Sequence, residues 1–316
     1  MTQVDLITGF LGAGKTTFIK LYARWLKARG VSFKVIENEF GMAGVDTVLL
    51  SEDGITASEL AGGCICCSLK VDFALLLAEL SGKVERIIVE PSGIFSLKEF
   101  YDVLQSPVVR QVCEPGAVLT VVDAPAIRDM GDMECLVLAS QLHSTGRILL
   151  SKTGGMSHEE ITAVRDMILD FGDAFGNDAG LNWKHEMGQR MIEKEWPDFT
   201  EADFQVLAQS NPLLFDYHNQ VLLEHPRLFN SITVYPKKSF SETDLQKAMK
   251  DLTEGSCGRI LRIKGYCEAA DGGSLIVNCT AHRIEINRTG KPNRSVINII
   301  GSGVSRKACE AILSGK

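Results

Sequence analysis

Apolar residues in the first half of the chain fall into short runs separated by amphipathic stretches. Val4–Thr8 is a short buried strand by this pattern. Thr17–Arg29 is a helix, with Phe18, Leu21, Tyr22, Trp25 and Leu26 at helical spacing and Gly30 as its stop. The alternation continues with strands predicted at Ser32–Ile36, Val84–Val89, Ala117–Val122 and Arg147–Leu150, and helices at Val71–Leu80, Leu97–Leu104 and Met133–Leu142. Ser157-His158-Glu159-Glu160 is a capping pattern opening a helix to Phe175. Strand and helix in turn predict an α/β unit with a mainly parallel sheet.

The pattern then changes. Residues 176–226 are less regular, with helices predicted at Trp183–Glu195 and Thr200–Ser210, and are expected as a helical extension of the first domain. From 227 the chain predicts a small α+β domain. Its strands are Ser231–Tyr235, Arg259–Ile263, Ser274–Thr280 and Ser295–Ile300, and its helices Ser241–Leu252 and Arg306–Leu313. The expected division is therefore 1–226 and 227–316, and 316 residues suit two domains.

Composition adds constraints. The chain is 45% hydrophobic and 23% charged, as in an ordinary soluble protein. No apolar run approaches the roughly 20 residues of a membrane span. The start carries no basic head or cleavage site, so no signal peptide and a cytoplasmic location are expected. A net charge of −7 argues against nucleic acid as a partner. Nine cysteines, three of them within residues 64–67, suit a reducing compartment and a metal or redox site better than a disulfide framework.

The chemistry concentrates in the first domain. Gly9-Phe-Leu-Gly-Ala-Gly-Lys-Thr16 lies between a strand and a helix, the context of a phosphate-binding loop. Gly9, Gly12 and Gly14 let the backbone aim its N–H groups at phosphate oxygens, and the helix start adds positive potential. Ala13 and Thr17 share the loop and helix start. Lys15 is expected at the surface, reaching the β- and γ-phosphates, with the Thr16 hydroxyl as a magnesium ligand. Glu37-Asn38-Glu39-Phe40-Gly41 follows the second strand, where a γ-phosphate switch belongs. Glu90-Pro91-Ser92-Gly93 follows the strand at 84–89, where Glu90 can hold a magnesium-bound water and the Gly93 N–H can meet the γ-phosphate. Cys64, Cys66 and Cys67 follow the permissive pair Gly62-Gly63. Three thiolates suit zinc or another borderline-soft ion and leave a position open for release. Glu37 and Glu39 are candidates for a fourth ligand, and reversible disulfide formation stays open as a second use of the thiols. The remaining cysteines are expected as small buried hydrophobes.

These four motifs, in this order, resemble the CobW/HypB/UreG family of GTPases, most closely its CobW-like branch. Gly258-Arg259-Ile260-Leu261-Arg262-Ile263-Lys264-Gly265 and Ile299-Ile300-Gly301 are similar to that branch's small C-terminal domain. The resemblance implies a GTP/GDP-binding, magnesium-dependent, slow GTPase. It also implies a metallochaperone that carries zinc, cobalt or nickel to a client metalloprotein; homo-oligomerisation is left open. One motif departs. Where the family carries Asn-Lys-x-Asp as its guanine reader, this chain has Ser151-Lys152-Thr153-Gly154. The carboxylate that accepts from guanine is missing, so weak base discrimination is expected, with Asp173 and Asp178 the first substitutes to consider. The alternatives are a non-catalytic nucleotide-bound metal adaptor and a nucleoside triphosphatase with relaxed base specificity.

Overall fold

The computed structural model describes residues 1–38, 55, 57–59, 70–95, 97–143, 145–176, 182–212, 229–280, 283–289 and 295–314. Glu39, Cys64, Cys66 and Cys67 lie outside the described residues. The described chain forms two compact units, one ending at 212 and the other starting at 229.

The first unit runs β1 (Thr2–Thr8), α1 (Lys15–Ala28), β2 (Phe33–Asn38), β3 (Ala57–Glu59), α2 (Lys70–Leu80), β4 (Arg86–Pro91), α3 (Leu97–Leu104), β5 (Cys113–Asp123), α4 (Asp132–His143), β6 (Arg147–Ser151), α5 (His158–Gly176), α6 (Trp183–Gln189), β7 (Met191–Ile192) and α7 (Glu201–Ala208). Among the described residues the strands form one sheet in the order β3-β2-β4-β1-β5-β6-β7. Every pair is parallel. Alternate strand residues feed opposite faces, as the pleat requires. Val4, Leu6, Ile87 and Val89 meet Phe73 and Leu77 of α2 and Phe100 of α3 on one face. Ile7, Ile88, Leu119 and Val121 meet Phe18, Tyr22 and Leu26 of α1 on the other. Burial on both faces explains why these strands lack a polar alternation.

The predicted capping pattern is present at α5. The Glu160 N–H donates to Ser157 Oγ at 3.2 Å, and the Ser157 N–H donates to Glu160 Oε2 at 2.8 Å. Two expectations are corrected. The helix expected over 183–195 ends at Gln189, and Met191 and Ile192 pair with Ile148 and Leu149 as a seventh strand. The open edge of β6 offers backbone partners there, and satisfying them outweighs helix propensity. Residues 182–212 therefore add a short strand to the sheet as well as the helices α6 and α7. The three-residue β3 is too short to leave a periodic signal.

The second unit runs β8 (Asn230–Val234), α8 (Glu242–Glu254), β9 (Arg259–Glu268), β10 (Ser274–Thr280), β11 (Arg283–Thr289), β12 (Val296–Ser302) and α9 (Arg306–Ser314). Its antiparallel sheet has the order β11-β10-β9-β12-β8. Leu245, Met249 and Leu252 of α8 and Cys309 and Leu313 of α9 pack against one cluster with Ile263, Val277 and Ile299. The unpredicted β11 is an edge strand among the described residues: Arg283 and Glu285 lie on one face, while Ile284 and Ile286 touch the core on the other, where Arg288 at the strand end bonds Glu242 of α8.

Candidate functional site

The site is built at the carboxyl ends of β1, β4, β5 and β6. The loop from Gly9 to Gly14 turns by left-handed backbone at three glycines, with φ of 141° at Gly9, 81° at Gly12 and 102° at Gly14. At Gly9 space alone forbids a side chain: a Cβ would lie 2.2 Å from the Val121 carbonyl oxygen. Gly14 caps α1, so the first N–H groups of α1 open onto the loop. Thr17 is exposed on the first turn and Ala13 is buried beneath it.

Lys15 is not at the surface as expected. It is 5% exposed, and its ammonium donates to the Gly9 carbonyl at 3.0 Å. The Phe10 carbonyl lies 3.5 Å from the same ammonium, so two carbonyl oxygens of the curled loop hold the cation.

Two acidic strand ends stand beside the loop. The Thr16 hydroxyl donates to Glu90 Oε1 at 3.0 Å. Glu37 of β2 pairs in register with Glu90 of β4, and both are buried. In a parallel pair, residues in register share a face. Hydroxyl and carboxylate oxygens are hard ligands, and this donor set fits magnesium better than a soft ion. Gly93 packs directly on the loop: a Cβ there would lie 2.5 Å from the Leu11 nitrogen. The turn carrying Gly93 is fixed from α4, because the buried Gln141 amide donates to the Gly93 carbonyl at 3.0 Å and to the Phe95 carbonyl at 3.4 Å.

The segment after β6 also grips the loop. The Ser151 hydroxyl donates to the Ala13 carbonyl at 2.7 Å. The Lys152 ammonium reaches the Gly12 carbonyl at 2.9 Å and Asp123 Oδ2 at 2.5 Å, with its own backbone at φ 59°. Thr153 is buried behind it. On this side Trp196 packs edge-on to Phe18, with ring centroids 5.6 Å apart, and its ring edge would touch a Cβ on Gly14 at 3.1 Å.

The dispersed cysteines behave as packing residues. Cys113, Cys257, Cys267, Cys279 and Cys309 are buried as expected, Cys135 is only half-buried, and none of the six is in a disulfide. Burial pushes the Cys267 thiol up to about 12 and the Cys279 thiol up to about 11. His185 is exposed beside the Gln189 amide, and His282 lies outside the described residues.

Residues 3–173 match the CobW/HypB/UreG nucleotide-binding domain, and residues 229–315 match the cobalamin synthesis protein cobW C-terminal domain. The chain belongs to the CobW/HypB/UreG family. A protein of Pseudomonas aeruginosa named zinc chaperone CobW is 38% identical over 136 residues, which cover 39% of this chain and 36% of that one. Zinc chaperone YeiR of Escherichia coli is 33% identical over 167 residues, covering 52% and 51%. Zinc-regulated GTPase metalloprotein activator 1 of Schizosaccharomyces pombe is 29% identical over 182 residues, covering 52% and 42%. The matches thus span between about a third and a half of these relatives' lengths.

Within this CobW/HypB/UreG chain, the structure brings Gly9, Gly12, Ala13, Gly14, Lys15, Thr16, Glu90, Gly93, Ser151 and Lys152 around one loop. Sequence reasoning missed Gln141, Asp123, Trp196 and Glu195. Gln141 sits near the end of a helix between Ser140 and His143, where a polar residue draws no notice, and only its burial reveals a role. Among the described residues no helix is long and apolar enough to cross a membrane.

Proposed function

We propose that this chain is a magnesium-dependent GTPase that holds zinc, or a related divalent transition metal, at Cys64, Cys66 and Cys67 and delivers it to a client metalloprotein in the cytoplasm. The observation that carries the nucleotide half is the contact of Thr16 with Glu90 at 3.0 Å, directly beside a loop whose lysine already folds over it. The loop N–H groups and the start of α1 receive the phosphates. Lys15 exchanges the Gly9 carbonyl for β- and γ-phosphate oxygens. Thr16 and, through water, Glu90 hold magnesium, which when bound neutralises charge on those oxygens. Gly93 brings its N–H to the γ-phosphate, with Gln141 fixing the turn. Among the described residues there is no obvious general base, so turnover is slow, on the order of 10⁻⁴ to 10⁻² s⁻¹ for an intrinsic GTPase.

The metal half rests on the thiol spacing and on the named relatives. Glu37 extends it, because β2 leads from the nucleotide side toward the Glu39 segment, and Glu37 or Glu39 completes the thiolate set. A charge change at Glu90 is felt at Glu37 one strand away, roughly 4.8 Å. Nucleotide state therefore alters metal affinity, and linkage makes metal alter nucleotide affinity by the same factor.

Phosphate release from GTP, with and without zinc, tests the proposal in the parent and in Lys15→Ala. Slow release that zinc modulates, and that Lys15→Ala abolishes, is expected. Equal GTP affinity in the two proteins by calorimetry removes the phosphate-loop assignment.

A further inference from the structure

The guanine-reading position of this chain carries glycine, yet a carboxylate stands there. A Cβ built on Gly154 would lie 3.1 Å from Glu195 Oε1 and 3.5 Å from Oε2. An aspartate at 154 would carry its own oxygens into that same space. We propose that Glu195 supplies the missing base-reading carboxylate from a different loop, so that the site selects guanine. The proposal rests on the nucleotide reading above and names the residue that sets its specificity.

The position is held by its neighbours. Glu195 caps the short 3₁₀ turn Trp196–Asp198, and its carbonyl accepts from the Asp198 N–H at 3.0 Å. On one side Trp196 is wedged against Phe18 and Gly14, the last glycine of the phosphate loop. On the other, Lys194 pairs with Asp203 at 2.7 Å, and β7 ties Met191 and Ile192 to the sheet. A flexible surface loop has no such anchors on both flanks. The other nearby carboxylate, Asp123, is engaged by Lys152. Among the described residues the Glu195 carboxylate, unlike its backbone carbonyl, has no hydrogen-bond or ion-pair partner. Asp173 lies far along α5 from Gly154, and Asp178 is outside the described residues.

The chemistry follows from the donor inventory. An ionised carboxylate only accepts. Guanine offers it two donors on one edge, N1–H and the 2-amino group. Adenine offers a lone pair at N1 and no 2-amino group, so the carboxylate would be left facing an acceptor. A site built to bond a ligand group rejects the analogue that lacks it, because its own polar group is left unpaired. Weak discrimination, expected from Gly154 alone, is thereby replaced by a strong guanine preference.

Binding of GTP, ATP and XTP to the parent, Glu195→Gln, Gly154→Asp and the double variant Gly154→Asp/Glu195→Ala tests this. The parent should prefer GTP over ATP by more than about a hundredfold. Glu195→Gln should lower GTP affinity at least tenfold and raise XTP affinity, because an amide donates to the 2-oxo group of xanthine. A purely structural role for Glu195 would not produce that exchange. Gly154→Asp alone should weaken GTP binding by crowding two carboxylates into one space, and adding Glu195→Ala should restore it. If the parent binds GTP and Glu195→Gln leaves the GTP, ATP and XTP ratios unchanged, this inference is overturned and the phosphate-loop reading stands. A parent that binds none of the three overturns both.

Discussion

Replacing Arg86 with methionine strips the cation from a carboxylate that water does not reach. Asp5 is fully buried in the middle of β1. Arg86 Nη1 donates to its two oxygens at 2.6 and 2.7 Å. The same guanidinium reaches the Tyr22 hydroxyl at 3.1 Å and the Ala208 carbonyl at 3.0 Å, so one side chain ties β4 to β1, α1 and the end of α7. Methionine keeps the apolar stem and loses every one of these bonds. Asp5 retains the Ala117 N–H at 2.8 Å and the Tyr22 hydroxyl at 3.0 Å. Removing one partner of a buried ion pair costs about 3–5 kcal/mol, and the two surviving donors argue for the lower end of that range. Against a total stability of about 5–15 kcal/mol this is a large loss.

The sign of its pH dependence is fixed. Burial pushes the Asp5 carboxyl up from its ordinary range, while Arg86 draws it down. In Arg86→Met the downward pull is gone, so the folded-state value rises further above the unfolded value of about 3.9. A carboxyl raised in this way stabilises below its unfolded pKa, and that contribution is lost as pH rises through the folded one. The deficit of Arg86→Met relative to the parent should therefore be larger at pH 8 than at pH 5. Urea melts of both proteins at both pH values measure it. Adding Asp5→Asn to the variant should recover part of the loss at pH 8. A deficit under about 1 kcal/mol, the size of an exposed pair, or one equal at the two pH values refutes the argument.

Three further outcomes are expected. Gln141→Leu removes the donors to the Gly93 and Phe95 carbonyls; it should cost about 1–3 kcal/mol in urea melts and slow phosphate release more than it weakens GTP binding. Burial holds the Cys267 thiol near 12 and the Cys279 thiol near 11, so native protein at pH 8 should be alkylated at Cys64, Cys66 and Cys67 well before these two, and mass mapping that finds equal rates would contradict it. Cys66→Ser should abolish the thiolate charge-transfer band of a cobalt titration, whereas Cys279→Ser should leave it intact.

The first unit was legible because its strands are buried on both faces. The run from Ala117 to Val122 is apolar but for the buried Thr120, and Gly30 with φ 71° stops α1 where the sequence said a helix must end. Elements that owe their form to a neighbour were not legible. Met191 and Ile192 are a strand only because β6 presents an open edge. Arg283–Thr289 looks polar because it is an edge strand among the described residues, with Arg283 and Glu285 on the face away from the core. Local pattern carries no information about an edge that another segment supplies.

The same distinction runs through the site. Gly9, Lys15 and Thr16 belong to one eight-residue run, and their chemistry follows from spacing alone. Glu90 was legible one step further out, because a strand end after a phosphate loop must approach it. Glu195 lies 41 positions after Gly154 in sequence and against it in space. A motif read as Asn-Lys-x-Asp tests whether a carboxylate is bonded to one particular Cα, whereas a base is sensitive only to where the carboxylate oxygens stand. Glycine at 154 is therefore two observations at once. It is the loss of a side chain, and it is the room that lets Glu195 in: an aspartate Cβ at 3.1 Å from a glutamate oxygen would place two like charges in one cleft. The two residues are alternatives for one space, and the double variant Gly154→Asp/Glu195→Ala restores GTP binding only if that exchange is real.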